Sequence, residues 1–184
     1  MNTKQKIILA IALIILAIIT RFMPHLWNFT ALTAVALFAG NYLGPKYAIF
    51  VVFFSMLLSD LFIGFYDWRL MAFVYGSFAL VGFIPSLIKG KGMTRVFGMS
   101  LIGSTLFFIV TNWAVWYFGV MYSPDFSGLL SSFVAGIPFY RNAILGDLWY
   151  TGVFFGVYEF ALYLNRQYVL KKKASTVLVD ALDS

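Results

Sequence analysis

The sequence has no cysteine and one histidine, His25, in 184 residues. No disulfide, thiol nucleophile or thiolate metal site can form, and one chain cannot build a polyhistidine metal centre. Charge is scarce as well. Asp, Glu, Lys and Arg make up 11% of the residues and hydrophobic residues 62%, against about 25% charged in an average soluble domain. So few charged side chains cannot cover so much apolar surface. That excludes an ordinary soluble domain, a disordered chain and a nucleic-acid-binding module. Catalytic signatures are missing too: there is no P-loop lysine, no HExxH, no GxSxG and no serine with a nearby histidine. The chain is not expected to be an enzyme, and no cofactor is expected.

What is present is a series of long apolar runs. Aromatics reach 20%, led by 21 Phe, which suits a lipid-facing surface. A bilayer core of ~30 Å needs about 20 apolar residues as helix. Segments at 6–20, 29–43, 47–65, 70–88, 96–120 and 143–164 approach or meet that length. The runs are continuous rather than alternating, which selects helices over a barrel. The expected fold is an all-α integral membrane bundle of six transmembrane helices over residues 1–168, with a short tail at 169–184. No small-x-small cleavage pattern precedes Arg21-Phe22-Met23-Pro24, so the first segment reads as an uncleaved helix. Gly44-Pro45 stops the second segment, Asn28-Phe29-Thr30 is expected to cap it, and Pro85 to kink the fourth near its end.

Charge placement orients the bundle. Lys4, Lys6, Lys46, Lys89, Lys91, Arg95, Arg166, Lys171, Lys172 and Lys173 fall on the side of the termini, and Arg21, Arg69 and Arg141 on the other. Ten against three is a positive-inside signal that makes both termini cytoplasmic. The net charge of +6 then reflects topology and attraction to the head groups of membrane lipids.

Polar residues gather toward the outer side. The long outer loop, residues 121–142, contains an apolar piece at 126–140 with Gly128, Ser131, Ser132, Ala135 and Gly136. It reads as a re-entrant or interfacial segment, or as a lid. Trp27, Trp68, Trp113, Trp116 and Trp149 all lie outward. Trp27 and Trp68 fit an interfacial belt. Trp113, Trp116 and Trp149 fall inside helices and are candidate pocket walls. Asp60 is near the outer end of the third helix and Asp147 near the outer start of the sixth. Intramembrane acids usually face a bundle interior or a wet cavity. Asn112 lies one turn before Trp116, and Asp147, Tyr150, Thr151, Phe154 and Tyr158 share a face. Asp147, Asn112, Asp60, Trp116, Trp113, Trp149 and Tyr150 are therefore the candidate substrate-binding residues. Glu159, near the inner end, is expected to snorkel or to pair with a basic loop residue. Ala36, Gly40 and Gly44, then Ser100 and Ser104, then Gly152 and Gly156 mark close helix contacts, within the chain or with a partner subunit.

The stretches Asn28-Phe29-Thr30-Ala31-Leu32-Thr33-Ala34-Val35-Ala36-Leu37-Phe38-Ala39-Gly40, Ser59-Asp60-Leu61-Phe62-Ile63-Gly64-Phe65-Tyr66 and Ala143-Ile144-Leu145-Gly146-Asp147-Leu148-Trp149-Tyr150 are similar to an uncharacterised bacterial membrane family described as S-component-like. With six short helices and a small-residue second helix, the chain resembles the substrate-binding S component of energy-coupling-factor vitamin transporters over residues 5–165. The resemblance implies a bacterial cytoplasmic membrane protein that captures a small, ring-containing nutrient near its outer face. It also implies an energising transmembrane subunit and ATPases as partners. The docking pattern Ala-x-x-x-Ala is replaced by Ala36-x-x-x-Gly40. The rival reading is a structural scaffold of a cell-envelope assembly, whose small-residue stripes would be protein-binding faces.

The charge asymmetry makes a direct prediction. Reporter fusions after Lys46, Arg95 and Lys173 should report cytoplasm, and a fusion at residues 123–127 should report the outside. A cytoplasmic signal from that loop would overturn the six-span topology.

Overall fold

The computed structural model describes residues 1–23 and 28–182, with side chains as far as Leu170. The expectations for His25 and Trp27 lie outside the described residues. Six helices follow one another: α1 (Thr3–Phe22), α2 (Leu32–Tyr42), α3 (Pro45–Ile63), α4 (Trp68–Leu87), α5 (Met93–Phe118) and α6 (Phe126–Leu182). No strand occurs among the described residues. Helices α1, α3, α4 and α5 are each long and apolar enough to cross a membrane, the mark of a multi-pass helical membrane protein. The outside of the bundle agrees: Phe62, Leu87 and Trp68 are each at least 75% exposed, an arrangement water would penalise.

Helix starts follow local chemistry. Asn2 and Gln5 form a reciprocal capping box on α1. Asp67 accepts from the Arg69 N–H at the start of α4 and pairs with the Arg69 side chain at 2.7 Å. The hydrogen bonds from Arg69 hold the Asp67 carboxyl down to about 2. Pro45 opens α3 directly after Gly44, whose φ of 98° only glycine adopts without strain.

Helix α2 is the centre. It has 11 residues, roughly 16 Å of helix, about half a membrane span. Every residue from Leu32 to Gly40 is buried, and α1, α3, α4, α5 and α6 all pack on it. It starts three residues later than the sequence suggests. Asn28 adopts φ 61°, and the helix begins after Ala31, which makes no side-chain cap bond. Asn28-Phe29-Thr30 is thus a break before the helix and not its cap. Neighbours approach α2 closely because small residues leave room. Gly40 lies against the Gly82 carbonyl of α4, and Gly82 in turn faces Ala48 of α3. Between membrane helices such contacts act through packing, since lipid tails are as apolar as leucine. Ala36 and Gly40 are therefore spent inside the chain, where no partner subunit can reach them.

The largest departure from expectation is α6. Residues 126–140, expected as a loop, are helix continuous with the expected sixth span. The outer loop shrinks to residues 119–125. Asp125 starts the helix by accepting from the Gly128 N–H at 2.7 Å, a bond that draws its carboxyl below the usual range. Gly128, Ser132 and Gly136 are buried at four-residue spacing. The small residues that suggested a re-entrant piece are a packing stripe against α5, with Gly136 directly on the Asn112 carboxamide. Beyond Glu159 nearly every described residue is exposed as α6 runs past the bundle, and the backbone of the expected tail stays helical to Leu182.

The Gly40–Gly82 approach predicts an asymmetry among glycines. Gly40→Ala should lower the melting temperature in detergent, because its methyl meets a backbone oxygen, at a cost of about 1–3 kcal/mol. Gly76→Ala and Gly98→Ala, which face open space, should be neutral or stabilising by up to ~1 kcal/mol. Equal effects at all three sites would refute the contact.

Candidate functional site: a cavity floored by Asp147

Because α6 starts early, Asp147 is carried down the bundle. It lies opposite Ser104, near the middle of the 26-residue α5, and not near the outer end of its helix. It is 4% exposed. Ser104 Oγ donates to its Oδ2 at 2.6 Å, and the Thr33 hydroxyl of α2 also bonds it. Thr151 Oγ1 donates to Ser100 Oγ one turn below. Among the described residues Asp147 makes no ion pair. Its carboxyl sits beside the first turn of α2, a helix with no side-chain cap of its own, and offers polar atoms at that helix end.

Above this floor a cavity of about 240 Å³ opens. Asp147, Thr33, Thr30, Asn28, Tyr66 and Arg21 border it with polar atoms, and Met56, Val74, Phe78 and Phe107 with apolar ones. A second hollow of about 300 Å³ adjoins it, sharing Asn28 and Phe107, and reaches Asn112, Ser132, Gly136, Tyr122 and Tyr140. Asn112 Nδ2 donates to the Phe108 carbonyl, so its amide oxygen is turned toward Gly136. Tyr140 stacks on Phe108 at 4.5 Å, and its hydroxyl meets that of Thr105 at 2.7 Å.

Asp60 reaches this region as half of an ion pair. Arg21 Nη2 donates to its Oδ1 at 2.6 Å, while Arg21 Nη1 donates to Ser59 Oγ at 2.6 Å. The Tyr75 hydroxyl donates to the other carboxylate oxygen at 2.7 Å. Asp60 is 1% exposed, so both of its oxygens are spent on protein partners and its charge is balanced. Arg21 appears in the sequence as a loop residue that follows an apolar run, yet it forms the last turn of α1 and turns into the bundle.

The structure thus places Asp147 and Asn112 in the linings of two adjoining hollows, whereas Asp60 lines neither and reaches the first only through Arg21. It does not bring the three tryptophans there. Trp113 stacks on Tyr117 at 5.0 Å and packs on Phe73 of α4. Trp116 Nε1 donates to the Ser123 carbonyl and so pins the short loop to α5. Trp149 is 64% exposed on the outer side of α6. Tyr150 packs against Phe29 at 5.7 Å, behind the cavity. Aromatic walls come instead from Phe78, Phe107, Phe108 and Tyr66, with no sequence signal beyond helical spacing. Arg141, expected in the outer loop, is an exposed residue of α6 next to Tyr140. Glu159 accepts from the Tyr42 hydroxyl at 2.9 Å rather than pairing with a basic loop. Among the described residues no group of three metal-ligating side chains occurs.

The ion pair makes its own prediction. Asp60→Asn and Arg21→Gln should each destabilise the protein, toward the low end of the ~3–5 kcal/mol for breaking a buried pair, since Arg21 keeps some exposure. The double variant should regain much of that loss in a thermal-melting cycle. Simple additivity would show that the two charges do not interact.

Comparison with known proteins adds a family and nothing more specific. No curated protein and no solved structure matches the chain. One family model matches residues 1–173, and the chain therefore belongs to the family of unknown function DUF6580.

Proposed function

We propose that the chain is an S-component-like capture subunit of the bacterial cytoplasmic membrane. In this reading it has six spans, both termini inside, and an outward cavity that binds a small, ring-containing nutrient. The observation that carries the reading is the cavity over Asp147. Its apolar walls enclose a few convergent polar groups, the usual composition of a small-molecule site. Phe78 and Phe107 offer flat area to a ring. Asp147 and Thr33 at the floor, with Asn112 in the adjoining hollow, would orient polar atoms.

The electrostatics favour one ligand chemistry. Among the described residues Asp147 has no ion pair and accepts hydrogen bonds from hydroxyls, so a ligand that donates hydrogen bonds downward completes it. Arg21 is already held by Asp60 and Ser59 and offers only its remaining donors at the side wall. Chemistry on the ligand is not required; the work is capture. Energy for release inward would come from separate transmembrane and ATPase subunits. They would dock on a face other than Ala36–Gly40, which is enclosed.

Small molecules that copurify with the full chain, identified by mass spectrometry, supply the test ligand. Asp147→Asn should weaken its binding by about 10- to 150-fold, the loss of one charge-assisted bond worth ~1.5–3 kcal/mol. Phe107→Ala should also weaken it, while Trp68→Ala and Trp149→Ala, on exposed side chains, should not. Unchanged affinity in Asp147→Asn and Phe107→Ala would place the site elsewhere.

A further inference from the structure

A further hollow lies at the other end of the bundle. It encloses about 710 Å³ between the α4–α5 loop, α5 and α6. Three cations from three separate segments line it: Lys91 of the loop, Arg95 of α5 and Arg166 of α6. A topological bias toward basic loops scatters lysines and arginines over a surface; it does not make them converge on one concavity. The only acid on the wall is Glu159, and the Tyr42 hydroxyl already donates to it.

The donors differ in freedom. Arg95 Nε donates to the Ile88 carbonyl, Nη2 to the Pro85 carbonyl and Nη1 to Asn41 Oδ1. Three of five guanidinium N–H groups are thereby used, and the head is fixed with two to spare. Lys91 and Arg166 have no hydrogen-bond or ion-pair partner among the described residues. Beneath the cations the wall turns apolar, through the half-buried Met93 and Leu162. Fixed and free cations over an apolar wall suit an amphiphile with an anionic head.

We infer that this hollow is a binding site for an anionic phospholipid, whose phosphate is held by Lys91, Arg95 and Arg166 while its glycerol and upper chain rest on Met93 and Leu162. A dissolved phosphate would share the cations but gain nothing from the apolar wall. The inference is independent of any ligand at Asp147.

Full-length protein in phosphatidylcholine nanodiscs doped with phosphatidylglycerol tests it, with retained lipid read by native mass spectrometry. Phosphatidylglycerol should be retained in preference to phosphatidylcholine. Lys91→Gln and Arg166→Gln should each lower that preference about fivefold, which is the change that ~1 kcal/mol per basic residue produces. Lys4→Gln and Lys46→Gln remove the same charge outside the hollow and should leave the preference unchanged. Leu162→Asn should weaken lipid retention as well. All six proteins, wild type included, should melt alike, because none of these side chains holds the fold. Equal loss in all four charge variants would reduce the effect to general attraction between a basic surface and an anionic bilayer, and would overturn the site. Binding of inorganic phosphate in detergent that depends on Lys91 and Arg166, without lipid selectivity, would overturn the lipid assignment.

Discussion

Everything in this bundle is arranged around one short helix whose residues from Leu32 to Gly40 are all buried. Helix α2 is too short to span a bilayer and has five helical neighbours. Two demands follow. Its side chains must be small enough for neighbours to reach its backbone, which is why the run from Thr33 to Gly40 carries Thr33, Ala34, Ala36, Ala39 and Gly40. Its exposed-end N–H groups, which lie within the bundle, must find polar company. Asp147, Thr33 and the broken segment at Asn28 supply polar atoms there, and the space above the broken segment becomes the cavity. A half-length helix creates a hollow at the end where it stops, so fold and site share one cause.

The two intramembrane acids meet the cost of burial in different ways. Asp60 is neutralised by Arg21 and saturated by Tyr75, which makes it a bolt between α1, α3 and α4. Asp147 is surrounded by hydroxyls and the end of a helix, with no cation in contact. A balanced pair has little left to offer a ligand, whereas a buried carboxyl without an ion-pair partner among the described residues keeps its need for hydrogen-bond partners. The difference separates a structural acid from the one that gives the cavity its polarity.

Much of this was legible in the residues. Helical architecture followed from composition and run length, and Asp147 and Asn112 stood out because polar groups are expensive in such runs. The neighbours that decide each acid's role were not legible. Arg21 lies 39 residues from Asp60 in sequence, and nothing local couples them. Thr33 and Ser104 look like ordinary small helix residues until α6 places Asp147 between them. The start of α6 is not anticipated because the apolar piece at 126–140 is too short to span by itself and reads as a re-entrant or interfacial segment, or as a lid. The four-residue spacing of Gly128, Ser132 and Gly136, together with Asp125 before Gly128, was the helical signal. The tryptophans misled for a related reason: outward position identifies an interface, and only the helix face decides between lipid and cavity.

Helix α6 passes every important feature in turn. It runs beside the short loop pinned by Trp116, under Asn112 at Gly136, through Asp147, and on to Glu159 and Arg166 at the far hollow. Its ladder has one gap, at Pro138, which lacks the N–H that would bond four residues back. That gap falls within the stretch from Ser132 to Tyr140 that walls the adjoining hollow, ahead of the stretch that bears Asp147. The rod is therefore jointed beside the adjoining hollow, and a bend at Pro138 would swing Gly136 and Ser132 relative to the segment that bears Asp147. Below the joint, Asp147 and Arg166 ride on the same uninterrupted strut, so an axial slide of that lower segment displaces both by the same amount.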